Sequence, residues 1–192
     1  MLKRDFCLFT RIISIETLEI RRGVMNIRVL NEADADMYQS LRLSALQTNP
    51  ESFGSTYERE VQFSVEMVRE RVRPAEDRYV LGAFAEDGSL EGIVRFMRDT
   101  DLKSKHKGNI YGMYVAPEVR GQGVGKALMA EAIERAKEFE GVEQIHLQVV
   151  STNGSAKKLY ESLGFETYGV EPRALKANGQ YFDEDLMVLF LK

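Results

Sequence analysis

From Asn26 onward the apolar positions follow two rhythms in turn, alternation and helical recurrence. Asn26 to Leu30 reads as a short strand, and Asn31 offers a side-chain oxygen to cap a helix opening with Glu32-Ala33-Asp34. Met37, Leu41, Ala45 and Leu46 give that helix an apolar face. It stops before Pro50; Pro50 to Tyr57 reads as loop, and a second helix from about Ser64 to Val72 ends before Pro74. Tyr79 to Ala85 and Glu91 to Met97 are strand-like runs joined by Glu86-Asp87-Gly88-Ser89, which carries the Asp-Gly signal of a hairpin. A polar loop, Asp99 to Lys107, leads to a strand at Asn109 to Val115, a glycine-rich turn, and a long helix from about Gly123 to Phe139. Ala127, Leu128, Ala132, Ile133 and Ala136 line one face of that helix. A strand at Gln144 to Val149, a helix at Ser155 to Leu163 and a final strand pair, Phe165 to Val170 and Tyr181 to Leu191, complete the pattern. This order predicts an α/β chain of mixed α+β type, a mixed sheet covered by helices.

The first 24 residues lack this regularity and read as an N-terminal extension to a domain spanning 25 to 192. The β-branched Ile12, Ile13, Ile15 and Thr17 support a competing reading, an extra edge strand around Arg11 to Ile20. At 192 residues and 44% hydrophobic the chain fits one domain with a substantial core, and it carries no internal repeat or linker.

Charge and composition narrow the function classes. A net charge of -4, from 26 basic and 30 acidic side chains, offers no footprint for nucleic acid or an anionic membrane. One cysteine, Cys7, and two histidines, His106 and His146, are too few for an ordinary zinc site, so no metal is expected. Asp5, Arg11 and Glu16 interrupt what would be the apolar stretch of a signal peptide, and no run of about 18 apolar residues exists to span a membrane. The expected setting is a reducing cytoplasm.

The densest glycine cluster, Arg120-Gly121-Gln122-Gly123-Val124-Gly125-Lys126, falls between an apolar strand and an amphipathic helix. Glycines there let main chain approach a ligand, and the free amides and dipole of a first helical turn favour a pyrophosphate. It is not a P-loop, which needs Ser or Thr after Gly-Lys where this chain has Ala127. It is not a dinucleotide fingerprint either, because Lys126 stands where the third glycine is required.

The stretch matches Arg/Gln-x-x-Gly-x-Gly/Ala as Arg120-x-x-Gly123-x-Gly125 and so resembles the acyl-CoA loop of the GNAT acetyltransferases. The resemblance extends through Tyr111 to Glu118, which looks like the family's fourth strand, and through Asn153-Gly154-Ser155-Ala156 to Tyr160-Glu161-Ser162-Leu163-Gly164-Phe165. It covers roughly Asn26 to Lys192 and implies the GNAT fold: a mostly antiparallel sheet of six to seven strands, splayed between the fourth and fifth, with about four helices. It further implies acetyl-CoA as cosubstrate. Met113, Tyr114 and Val115 would take the pantetheine arm by main chain, and Gly121, Gln122, Gly123, Val124, Gly125 and Lys126 the pyrophosphate, with Arg120 either adding charge or lying solvated. Asn153 would contact the arm, the amide of Tyr114 or Val115 would face the oxyanion, and Tyr160 would be the general acid.

The implied reaction is acetyl transfer to a primary amine by direct attack in a ternary complex. Glu58 is the first candidate for general base, with Asp183 and Glu184 behind it. The segments that would line the acceptor site supply Phe53, Tyr57, Phe63, Tyr168, Tyr181 and Phe182 together with Glu51, Glu58, Glu60, Asp183, Glu184 and Asp185. Aromatics interleaved with carboxylates suit a small cationic amine. A peptide or protein amine and a non-catalytic acyl-CoA-binding module are the competing readings. Asn178-Gly179 predicts a hairpin between the last strands, which would shape either the acceptor pocket or a homodimer contact.

Overall fold

The computed structural model describes residues 16–20 and 23–192. Eight strands form one sheet in the order β1-β2-β3-β4-β5-β6-β8-β7. They are β1 (Glu16–Ile20), β2 (Gly23–Val29), β3 (Arg78–Phe84), β4 (Leu90–Arg98), β5 (Lys107–Val115), β6 (Gln144–Val150), β7 (Glu166–Ala177) and β8 (Gln180–Phe190). Every pairing is antiparallel except β5 with β6. The mixed fold is the expected one, with β1 added as an edge strand against β2 in part of the expected N-terminal extension. Gly23 and Val24 of that extension open β2, and its residues 1–15 and 21–22 lie outside the described residues.

The helices are α1 (Ala35–Thr48), α2 (Tyr57–Glu60), α3 (Val65–Val72), α4 (Val124–Lys137) and α5 (Gly154–Glu161). Asn31 caps as expected: its Oδ1 accepts from Ala33 N at 2.9 Å, and Asp34 Oδ2 accepts from Asn31 N at 2.9 Å. The box closes a 3₁₀ turn over Glu32–Asp34, however, and the α-helix begins one residue later. The stretch read as loop holds a 3₁₀ turn at Pro50–Ser52 and the short α2, capped by Thr56. Four residues are too few to carry a helical period in sequence.

Alternation along β3 and β4 places two apolar layers on opposite faces of the sheet. Leu81, Ala83, Val94 and Phe96 pack with Leu128, Ala132 and Ala136 of α4, whereas Val80, Phe84 and Ile93 pack with Ala35, Tyr38 and Ala45 of α1 and Val68 and Val72 of α3. The buried face of α1 is turned relative to the expected one. Met37 is 39% exposed, and Tyr38 and Arg42 point inward. Arg42 enters because a buried carboxylate meets it there, a pairing that periodicity does not encode.

The feature that positions the site is the divergence of β5 from β6. The two strands pair only from Lys107 to Asn109 against Gln144 to His146. Beyond that point β5 stays on β4 as far as Val115 and β6 stays on β8 as far as Val150. With the added edge strand counted, this is the splay expected between the fourth and fifth strands. A bulge accompanies it: Ile93 faces Tyr114 and Arg95 faces Tyr111, so Gly112 and Met113 on β5 oppose Val94 alone. Gly112 takes φ +59°, a left-handed conformation costly for other residues.

Candidate active site

The splay opens a cleft of about 770 Å³. One wall is β5 from Ile110 to Val115, the other is β6 from Leu147 to Val150, and the ends are closed by the Arg120–Lys126 loop and by the start of α5. An extended polar chain laid along either strand edge would find backbone groups without a strand partner, as an added strand would.

At one end Gly123 is the N-cap of α4 with φ +89°, and Gly121 lies at φ +73°. Space around both is open, so each glycine serves backbone conformation. Gly125 serves packing instead: a Cβ there would meet Met113 Cε at 2.9 Å. The amides from Gly121 to Lys126 have no acceptor among the described residues; the first α4 bond of this region is Ala127 N to Gly123 O at 3.0 Å. Free amides at the N-terminus of a 14-residue helix make a cradle for a pyrophosphate, and the residues present fit that group. Gly121, Gly123, Gly125 and Lys126 line the cleft, while Val124 is buried beneath the turn and the Gln122 side-chain Nε2 donates to Glu118 O at 3.2 Å.

Arg120 also lines the cleft, but its guanidinium is spoken for. Nε donates to Val115 O at 2.9 Å, Nη2 donates to Asn49 Oδ1 at 3.0 Å, and the group lies 5.3 Å from the Tyr114 ring centroid. It ties the cradle to the end of β5 and the end of α1. Met113, Tyr114 and Val115 lie on the β5 wall of the cleft.

At the other end Asn153 caps α5, accepting from Ala156 N at 3.2 Å and from Ser155 Oγ at 3.1 Å, and faces the cleft. Tyr160 lies two turns along the same helix, 7% exposed, packed edge-on to Phe165 at 6.1 Å. Its hydroxyl makes no hydrogen bond to the described protein, and burial pushes the phenol up to about 12, so it stays protonated.

The carboxylates expected at the acceptor site are distributed differently. Glu58 is exposed on α2 and outside the cleft lining; Asp183, exposed and accepting from Arg173 N at 2.7 Å, and the half-buried Glu184 lie outside it too. Asp185 is buried and bound to Lys157 and Ser151. Glu60 is fully buried, held by Arg42 at 3.0 and 3.1 Å and by Arg71 at 2.7 Å. Burial opposes its charge, but Arg42, Ser55 and Arg71 outweigh that and keep its carboxyl below the usual range. Of the acidic residues, Glu51 alone lines the cleft. An acidic lining that would select a cationic amine is therefore not what these side chains form. Arg42, Arg71 and Arg95, which sequence reasoning passed over, converge on the same α1 and α3 side of the sheet. No spacing rule links Arg42 to Glu60, 18 residues apart.

No group of three or more His, Cys, Asp or Glu suited to a metal occurs among the described residues, and no described helix is long and apolar enough to cross a membrane. A family model described as acetyltransferase (GNAT) family matches residues 35–165. A mycothiol acetyltransferase from Brachybacterium faecium is 27% identical over 162 residues, 79% of this chain and 49% of that protein. One from Kocuria rhizophila is 42% identical over 64 residues, 33% of this chain and 21% of that protein. The chain thus spans about a fifth to a half of the length of these relatives. Among solved structures, a GNAT-family acetyltransferase from Streptococcus pneumoniae superposes with a TM-score of 0.77 at 24% identity, covering 87% of this chain and 99% of that one. A putative acetyltransferase from Salmonella typhimurium, solved with its cofactor acetyl-CoA, gives 0.74 at 22% identity, covering 88% and 94%. The family match spans the splayed strands, the amide cradle and the helix bearing Tyr160, and the chain belongs to the GNAT acetyltransferases, a family that uses acetyl-CoA.

Proposed function

We propose that this protein transfers an acetyl group from acetyl-CoA to a primary amine by direct attack in one ternary complex, with Tyr160 as the proton donor. The observation that carries this is the arrangement along a single cleft: acceptor-free amides from Gly121 to Lys126 at one end, and an unbonded, protonated Tyr160 hydroxyl toward the other. The names of the mycothiol acetyltransferases and of the two acetyltransferase structures above support the same reading.

Acetyl-CoA supplies a thioester carbonyl open to attack. The chain holds its diphosphate on the α4 cradle, with Arg120 fixing the loop that presents those amides. The β5 edge from Met113 to Val115 orients the arm and offers a backbone amide to the developing oxyanion. One nitrogen–carbon bond forms, one carbon–sulfur bond breaks, and the departing sulfur takes the phenolic proton of Tyr160. A phenol held near 12 is a weak acid, but the same apolar surroundings raise the proton affinity of a thiolate formed beside it. The amine loses its proton through water; Glu51 is the carboxylate on the cleft wall, and Glu58 is the more remote alternative.

Tyr160→Phe tests the assignment. If the phenol is the acid, thiol release with an accepted amine falls about ten- to ten-thousand-fold in kcat while acetyl-CoA affinity is retained. Unchanged kcat, with chemistry rate-limiting, removes Tyr160 from that role. Acetyl-CoA binding without release to any amine favours the non-catalytic binding module.

A further inference from the structure

A second, smaller cavity of about 60 Å³ lies on the α1 and α3 side of the sheet, walled by Tyr38, Arg42, Arg71, Arg95 and Tyr111. Tyr111 and Gly112 belong to both this cavity and the large cleft, so the two meet at the β5 bulge. Arg42, Arg71 and Arg95 line this cavity, while the one carboxylate bound there, Glu60, pairs with Arg42 and Arg71 only, which leaves a surplus of two positive charges. Glu60 engages Nε and Nη2 of Arg42 and Nη1 of Arg71 and makes no bond to Arg95.

The surplus donors are placed, not scattered. Arg42 is 6% exposed, yet its Nη1 has no hydrogen-bond partner. That nitrogen faces the shared wall: a Cβ built on Gly112 would lie 3.8 Å from it. The Arg42 guanidinium is also braced 4.6 Å from the centroid of Phe53, a residue of the cleft lining. Arg95 makes no ion pair with any described residue, and its buried Nε is likewise without a partner. Burial and the nearby Arg71 and Arg78 all disfavour its charge. Unpartnered buried guanidinium donors are costly, and a bound carboxylate, which accepts several such bonds at once, relieves that cost.

From this geometry we infer that the acceptor is an amino acid or related amino-carboxylate, its carboxylate held by Arg42, Arg71 and Arg95 in the small cavity and its amine reaching past Gly112 into the cleft. The inference rests on the acetyltransferase reading and names its acceptor class. Glu60 acts as a positioning residue that sets the two arginines. The cavity has room for a group of a few heavy atoms, which a carboxylate meets and a sugar ring does not. A polyamine would instead bring further positive charge against the arginines.

The test uses the intact protein and acetyl-CoA with a panel of amino acids, their carboxamides and spermidine, followed by thiol release. Arg95→Gln is the informative variant because Arg95 has no carboxylate partner to strand. At least one amino acid is expected to exceed its own carboxamide about ten- to a hundredfold in kcat/KM. Arg95→Gln should remove most of that preference with acetyl-CoA affinity unchanged. Carboxamides or spermidine used as well as the acids, no turnover of any acid, or a preference that survives Arg95→Gln overturns the inference while leaving acetyl-CoA binding intact. Loss of acetyl-CoA binding in the unmodified protein is a different result and strikes the transferase reading itself.

Discussion

At the scale of single residues, the proposed chemistry turns on one buried phenol. Tyr160 is surrounded by apolar side chains and lacks a hydrogen-bond partner, and that environment raises its proton affinity to about 12. The sign matters for pH dependence. A raised pKa keeps the proton on the oxygen through the range in which a free phenol, near 10, would lose it. Turnover should therefore rise as the amine deprotonates and hold level to about pH 10.5, with no falling limb of a free phenol. A descending limb centred near 10 that disappears in Tyr160→Phe would show that the phenol is not desolvated as described. Tyr160, Asn153 and the glycines stand out in sequence because their spacing within one local segment carries a family pattern. Arg42 does not, since a charged residue is discarded when an apolar helical face is sought, and its partner Glu60 lies on another helix. Glu58 directly follows a loop in sequence, but on the four-residue α2 it faces solvent while Glu60 turns inward.

At the scale of elements, the α4 N-terminus and the β5 bulge do the positioning. Gly123→Asp places a side chain at φ +89° and a negative charge where the cradle presents its amides. The expected outcome is a loss of acetyl-CoA affinity of at least about tenfold, with the far-UV circular dichroism of the parent. Normal affinity would move the diphosphate site elsewhere. The hairpin closing the chain was legible from Asn178-Gly179, and both residues do take positive φ, 50° and 79°. The length of β7 was not: it runs on to Ala177 through an irregularity between Glu171 and Leu175, where Pro172 and the left-handed Arg173 break the ladder that alternation would reveal. The splay itself is a relation between strands far apart in sequence, and only the family resemblance announced it.

At the scale of the whole molecule, three buried carboxylates tie the layers together. Asp34 binds Arg28 at 2.7 Å, Glu60 binds Arg42 and Arg71, and Asp185 joins β8 to Lys157 of α5 and to Ser151. All three are held below their ordinary values: burial raises Asp34 and Glu60 but their arginines outweigh it, and Lys157 and Ser151 lower Asp185. A depressed folded-state pKa gives stability that is present above the unfolded value and lost as pH falls through the folded one. The melting temperature should hold between about pH 5 and 7 and fall below about pH 4. Asp185→Asn should lower it by a few degrees at neutral pH and soften the acid decline. A melting temperature that rises on acidification would contradict the pairing scheme.

The cleft joins these scales, because the amide cradle and Tyr160 have a common purpose only if one donor molecule spans them. Calorimetric titration of the protein with acetyl-CoA, with desulfo-CoA and ATP as comparisons, tests that most directly. Binding of acetyl-CoA in the micromolar range, kept by desulfo-CoA and not matched by ATP, is the predicted result. A folded protein that binds none of them, or binds ATP as well as acetyl-CoA, would contradict the account.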